Sequence, residues 1–167
     1  MTRLAVAIAA VASLGVAAAA CGDEIGDECS LSSDCSPNGD RFCDTTSSGG
    51  YCTILGCDAT SCPENSACIR FYTGSFANLS CDPASEDVTT DACAVDERCN
   101  LAGNCVPRAS EIRYCMKTCG GGDDCRGGYE CRDLDLMKAH GGEPVLGDGQ
   151  IVSESSPRFC AQAPATE

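Results

Sequence analysis

Beyond its first twenty residues the chain never sustains an apolar stripe at helical spacing, and its apolar positions come in twos and threes between polar turns. The exception is the start: basic Arg3, an apolar run from Leu4 to Val16, then the small residues Ala17 to Ala20. That layout predicts a secretory signal over residues 1–20, because the run is shorter than the roughly 20 apolar residues a spanning helix needs. Further on, Ile69-Arg70-Phe71-Tyr72-Thr73-Gly74-Ser75-Phe76 sets β-branched and aromatic residues about a glycine and predicts a hairpin. The stretch TTSSGG between Cys43 and Cys52 predicts a turn, and Pro144 to Val152 a hairpin around Gly147-Asp148-Gly149. Leu134 to Ala139 predicts one or two helical turns. Irregular short β-hairpins in a repeat array, with little helix outside the signal, follow from this pattern.

Composition sharpens the picture. After residue 20 the chain has 147 residues, of which 21 are Leu, Ile, Val or Phe, and its net charge is −15. A chain below about 20% in those four residues, and strongly charged, normally buries too little apolar surface to fold. Cysteine, with 17 residues in the whole chain, is the available staple. The expected class is therefore a small disulfide-rich fold. A large α/β enzyme domain, a membrane bundle and a basic nucleic-acid binder are excluded, the last because the acidic surface repels phosphate backbones.

Seventeen cysteines is an odd number. Cys21 follows the small residues of the leader directly, and a small-residue run ending in cysteine resembles the bacterial lipobox, although Ala18 stands where Leu is usual. The resemblance implies a diacylglycerol on the sulfur and an N-acyl chain, enough for a stable membrane anchor. With Cys21 so used, sixteen cysteines remain to pair completely.

Those sixteen fall into four groups of four: Cys29, Cys35, Cys43, Cys52; then Cys57, Cys62, Cys68, Cys81; then Cys93, Cys99, Cys105, Cys115; then Cys119, Cys125, Cys131, Cys160. The first two gaps hardly vary and the third absorbs insertions, as expected of an internal repeat with one variable loop. The acidic stretch 82–92 predicts a linker between two modules, 29–81 and 93–160, with 21–28 a lipidated tether and 161–167 a tail. Four cysteines allow three pairings; short gaps followed by a hairpin favour first-to-third and second-to-fourth in each group. Structural bridges are preferred over metal or redox sites because the chain has no Cys-x2-Cys and a single histidine, His140. No metal or cofactor is expected.

Two motifs, Cys29-x4-Asp34-Cys35 and Cys119-Gly-Gly-Gly-Asp-Asp-Cys125-Arg-Gly-Gly-Tyr-Glu-Cys131, resemble repeats of cysteine-rich lipoproteins of myxobacterial type. With the Cys21-Gly22-Asp23 start, the resemblance covers most of the exported chain. It implies a secreted, disulfide-stapled array and is silent on activity.

Chemistry is sparse. No Gly-x-Ser-x-Gly accompanies His140, which is expected in an exposed loop, and Gly120-Gly121-Gly122 lacks the Lys-Ser/Thr of a phosphate loop. Asp123-Asp124, Asp133 with Asp135, and Glu86-Asp87 are candidate Ca²⁺ oxygens, weighed against a solvated acidic surface. Phe71, Tyr72 and Phe76 form a candidate contact patch, weighed against a role capping the disulfide core. The expected function is a non-enzymatic, lipid-anchored structural or binding module at the outer membrane or cell surface. Its partners are the membrane through Cys21 and a protein or surface ligand. The alternatives are a protease inhibitor presenting a disulfide-framed loop at Arg108, and a calcium-binding surface protein.

Overall fold

The computed structural model describes residues 22–74, 76, 79–85 and 92–165. The predicted signal, Cys21, part of the 82–92 segment and the last two residues lie outside them. Short antiparallel strand pairs dominate, and helix is scarce. A one-turn helix α1 (Ser32–Cys35) precedes β1 (Phe42–Cys43) and β2 (Cys52–Thr53). Next come β3 (Ser66–Tyr72), β4 (Glu97–Cys99), β5 (Cys105–Pro107) and β6 (Glu111–Lys117). The chain ends with β7 (Tyr129–Arg132), α2 (Leu134–His140), β8 (Glu143–Pro144) and β9 (Phe159–Gln162). Four sheets result: β1-β2, β6-β3-β8, β4-β5 and β7-β9.

All sixteen cysteines from Cys29 onward are bridged. Four pairs join Cys29–Cys43, Cys35–Cys52, Cys119–Cys131 and Cys125–Cys160. In the middle of the chain the pairs are Cys57–Cys68, Cys62–Cys115, Cys81–Cys99 and Cys93–Cys105. The crossed order holds in four units, but two units have a membership different from the consecutive groups. The second unit is Cys57, Cys62, Cys68, Cys115, and the third is Cys81, Cys93, Cys99, Cys105. This corrects the expected pairs Cys62–Cys81 and Cys99–Cys115. The third unit lies wholly inside the interval between Cys68 and Cys115, so it is an insertion at the tip of the second unit's ladder. The division at 82–92 is crossed by the Cys62–Cys115 bridge and by the β3–β6 ladder.

Strand register supplies the rule behind this nesting. In every unit the third and fourth cysteines are direct antiparallel partners: Cys43↔Cys52, Cys68↔Cys115, Cys99↔Cys105 and Cys131↔Cys160. Neighbours across a ladder could bond to each other, yet each reaches back instead to one of the two loop cysteines ahead of the ladder. Whatever enters between the third and fourth cysteines is carried at the hairpin tip without disturbing the frame. The first unit holds a turn there, the second holds the third unit, and the fourth holds α2 and β8.

The predicted hairpin over 69–76 is instead one long strand, β3, whose seven residues pair with β6 from Ser66↔Lys117 to Tyr72↔Glu111. Its second neighbour is β8, through Ile69↔Pro144 and Arg70↔Glu143. Gly147-Asp148-Gly149 does turn, with Gln150 N–H donating to Gly147 O at 3.1 Å, but the following residues form no strand. The segment 22–28 also departs from expectation. Ile25 is 6% exposed and belongs to the main core, so 22–28 is packed against the body rather than free. At the other end, Ala161 of the expected tail lies in β9 and is buried.

One apolar cluster joins three units: Ile25 and Tyr51, then Ile69 and Met116 about the Cys57–Cys68 bridge, then Tyr129, Met137 and Phe159. The first unit's four cysteines make a separate cluster. Among the described residues the third unit contributes none to the main cluster. Ion pairing between Arg98 in β4 and Glu111 in β6, at 3.8 Å, links it to the central sheet. Gly142, at φ +79°, closes the core: a Cβ there would lie 2.7 Å from both Phe159 Cζ and Phe71 Cε1.

Candidate functional site

The motif shared by the first and fourth units has a physical role. Asp34 Oδ2 accepts the backbone N–H groups of Ser30 and Leu31, each at 2.9 Å. Asp124 Oδ2 accepts those of Gly120 and Gly121, at 2.7 and 3.1 Å. The offsets, four and three residues back, are identical. Each carboxylate satisfies amides at the start of a short helical turn that delivers the unit's second cysteine, and the donated bonds hold both carboxyls below the usual range.

Two of the candidate calcium acids, Asp124 and Asp133, are engaged by backbone amides. Asp124 holds its own loop, and Asp133 Oδ1 caps α2 by accepting Leu136 N–H at 3.1 Å. Asp135 sits in the first turn of α2, and Glu86-Asp87 lies outside the described residues. Among the described residues the groups of three or more metal-capable side chains are all cysteine trios: Cys29-Cys35-Cys43, Cys57-Cys62-Cys68, Cys81-Cys93-Cys99 and Cys119-Cys125-Cys131. Each trio is the first three cysteines of one unit. Their sulfurs are in bridges, and a disulfide sulfur is no longer the thiolate that binds metal.

Arg126 makes the junction between the first and fourth units. Its Nη2 donates to Ser48 O at 3.1 Å and also reaches Gly50 O and Tyr129 Oη. The guanidinium lies 4.1 Å from the Tyr129 ring centroid and 5.7 Å from that of Tyr51, and the two rings stack at 5.5 Å. Tyr129 O–H also donates to Ser48 O, and Gln162 Oε1 accepts Ser48 N–H at 2.9 Å. The hairpin tip of the first unit is thus clamped on the face of the fourth. Tyr51, beneath it, donates to Cys160 O and accepts Lys117 N–H. Burial pushes the Tyr51 phenol well above its ordinary value. Beside the clamp runs a groove of about 360 Å³ lined by Asp23, Asp27, Glu28, Lys117 and Arg126, with Arg126 Nη1 3.5 Å from Glu28 Oε1. Arg126 and Tyr129 stand in a repeat motif that by itself assigns neither a role. They are the two ends of a turn through Gly127-Gly128, closed by Tyr129 N–H donating to Arg126 O at 3.0 Å, and that glycine pair is the signal that brings them together.

The aromatic residues singled out from the sequence divide. Phe71 is engaged in the core, edge-on to Phe159 at 6.1 Å and to Tyr114 at 6.2 Å. This is the core-capping role weighed against a contact patch. Tyr72 is half-buried, its hydroxyl enclosed among charged neighbours without a hydrogen-bond partner. Burial raises that phenol also. Phe76 is half-buried beside Gly74. The three do not form a common exposed face.

Arg108 and Ala109 are exposed, but they lie in a 3-10 turn, Arg108–Ser110, whose entry is pinned by Arg108 N–H donating to Asp96 O at 2.9 Å. The segment between Cys105 and Cys115 is not closed by its own bridge, since these cysteines belong to different units. At Arg108–Ser110 itself the backbone is a helical turn between β5 and β6, not the extended conformation in which a bound segment adds main-chain hydrogen bonds to a partner. His140 is exposed as expected, but it closes a helix rather than lying in a loop. It is the last residue of α2, and its Nδ1 meets Glu130 Oε1 at 2.7 Å. Buried Arg132 then locks that helix end, donating from Nη1 to His140 O and Gly141 O and from Nη2 to Gln162 O.

This geometry defines a class: a small disulfide-stapled array of crossed-bridge hairpin units. No protein family, curated protein or solved structure matches the chain in comparison.

Proposed function

We propose that this is an exported, lipid-anchored, non-enzymatic display module, held to a membrane through Cys21 and offering variable hairpin tips to a protein or surface ligand. The observation that carries the reading is the common frame. The third and fourth cysteines are cross-strand partners in all four units, while the content between them ranges from the five residues 100–104 in the third unit to an entire nested unit in the second. A frame closed by covalent bridges tolerates such inserts because it does not depend on their packing. Function on such scaffolds resides in the loops rather than the frame. Sixteen bridged cysteines also favour an oxidising compartment outside the cytoplasm.

The test is the intact mass of protein extracted from the membranes of its source cells. Cleavage before Cys21, added acyl mass and the loss of two hydrogens per bridge are expected together. A chain starting at Cys21 without added acyl mass would remove the anchor from the reading.

A further inference from the structure

We infer that the bilayer itself is the partner of the face formed by α1 and the turn after it, so that the body sits flush on the membrane and lifts the third unit away from it. This rests on the lipid-anchored reading of Cys21 and adds an orientation to it. The segment that would have to serve as a spacer is already consumed by the fold. Asp23 N–H donates to Asp34 O at 3.1 Å, Arg41 Nη1 donates to Asp23 O at 2.7 Å, and Gly26 N–H donates to Cys52 O at 2.9 Å. Cys52 N–H returns a bond to Asp27 O at 3.0 Å. Gly22 is pressed so closely on the first unit that a Cβ there would lie 2.6 Å from Cys35 O and 3.3 Å from Pro37 Cδ. Only glycine fits that approach, and it leaves no slack between an acylated Cys21 and the body.

The surface next to Gly22 is therefore held at headgroup depth. It comprises the exposed turn at Pro37 and Asn38, and Leu31, 65% exposed, opens the one-turn helix that leads into it. The central ladder gives the opposite direction. Gly26 abuts Lys117, the residue that pairs with Ser66 at one end of β3–β6. The third unit departs from the other end, at Tyr72↔Glu111. Seven strand residues at about 3.4 Å each separate the two ends by roughly 20 Å. Val95, 97% exposed in the third unit, is thereby carried on the far side of that ladder from the anchored segment.

The chain contains no tryptophan, so single-tryptophan variants report depth without background. Full-length Leu31→Trp, Asn38→Trp and Val95→Trp, purified with their anchors, are placed in vesicles of phosphatidylcholine carrying dibrominated acyl chains near the headgroup. Leu31→Trp and Asn38→Trp are expected to lose most of their emission, and Val95→Trp to keep it. Inserting a Gly/Ser spacer of about ten residues, with a reach of roughly 30 Å, between Cys21 and Gly22 is expected to restore emission at 31 and 38. Acyl mass on Cys21 with no difference among the three positions would overturn the orientation while sparing the anchor. Absence of acyl mass would overturn both. The two near-face positions guard against one variant misfolding, which its intact mass reports through unpaired thiols.

Discussion

Cys68 and Cys115 face each other across the β3–β6 ladder, yet neither is bonded to the other: Cys68 joins Cys57 and Cys115 joins Cys62. The same relation holds for Cys99 and Cys105, which bond to Cys81 and Cys93. Each ladder is thus tied back onto the loop that precedes it, and the nested order of the middle units follows. Proteolysis of the oxidised protein should release a peptide containing Cys62 linked to one containing Cys115, and a Cys81 peptide linked to a Cys99 peptide. Mass spectra showing Cys62 with Cys81 would refute the nesting.

The nested unit should also be separable. Replacing residues 74–109 by Asn-Gly joins β3 to β6 directly and removes the bridges Cys81–Cys99 and Cys93–Cys105 together. Because no described residue of the third unit enters the main core, the shortened protein should keep its six other bridges and the dispersed methyl resonance of Ile69. Replacing Cys62 and Cys115 together by Ser should be far more damaging. That bridge closes 53 residues, a stabilisation of about 4 kcal/mol in the chain-entropy model.

Arg126 should behave as a joint between units rather than as a surface charge. Arg126→Met removes carbonyl bonds and a stacked cation, with an expected loss of about 2–4 kcal/mol in urea unfolding. Arg126→Lys should recover little of it, since an ammonium can neither stack flat on Tyr129 nor fork between Ser48 O and Gly50 O. Full recovery by lysine would show that charge alone matters.

Alkaline pH should unfold the protein through its buried phenols. Tyr51 and Tyr72 both titrate above the ordinary tyrosine value of about 10, because burial disfavours the phenolate. Above that pH the unfolded chain releases protons that the folded chain retains, so stability is complete below about pH 10 and falls as pH rises. Phenolate absorbance from these two residues should appear together with loss of structure. Tyr72→Phe should soften the decline and raise stability at neutral pH by about 1 kcal/mol, because it deletes an enclosed hydroxyl that has no partner.

The paired aspartates give an acid-side counterpart. Asp34 and Asp124 lie below the usual carboxylate range because they accept backbone N–H groups. Their contribution is present above the ordinary carboxylate value and is lost as pH falls through the lowered one. Asp124→Asn should speed amide exchange at Gly120 and Gly121, and Asp34→Asn at Ser30 and Leu31. Unchanged exchange at those four amides would remove the aspartates from the repeat's logic.

The sequence by itself determined the class of fold and the helical turns that begin at Leu134, because each depends on neighbours along the chain, and it favoured the crossed bridge order without fixing it. A thin apolar complement with many cysteines leaves covalent cross-links as the main source of stability. Regular spacing brings the first three cysteines of a unit together locally. What the sequence concealed was membership. Cys81 and Cys115 follow their predecessors at intervals that suit consecutive grouping, and only the β3–β6 pairing shows that Cys68 waits for Cys115. Ile25 in the core, Phe71 against Phe159 and Arg126 across two units were likewise decided by tertiary structure. Long-range ladders and hydrophobic contacts join residues that no local period relates, so the partner of a hairpin strand is known only once the insert at its tip has been folded out of the way.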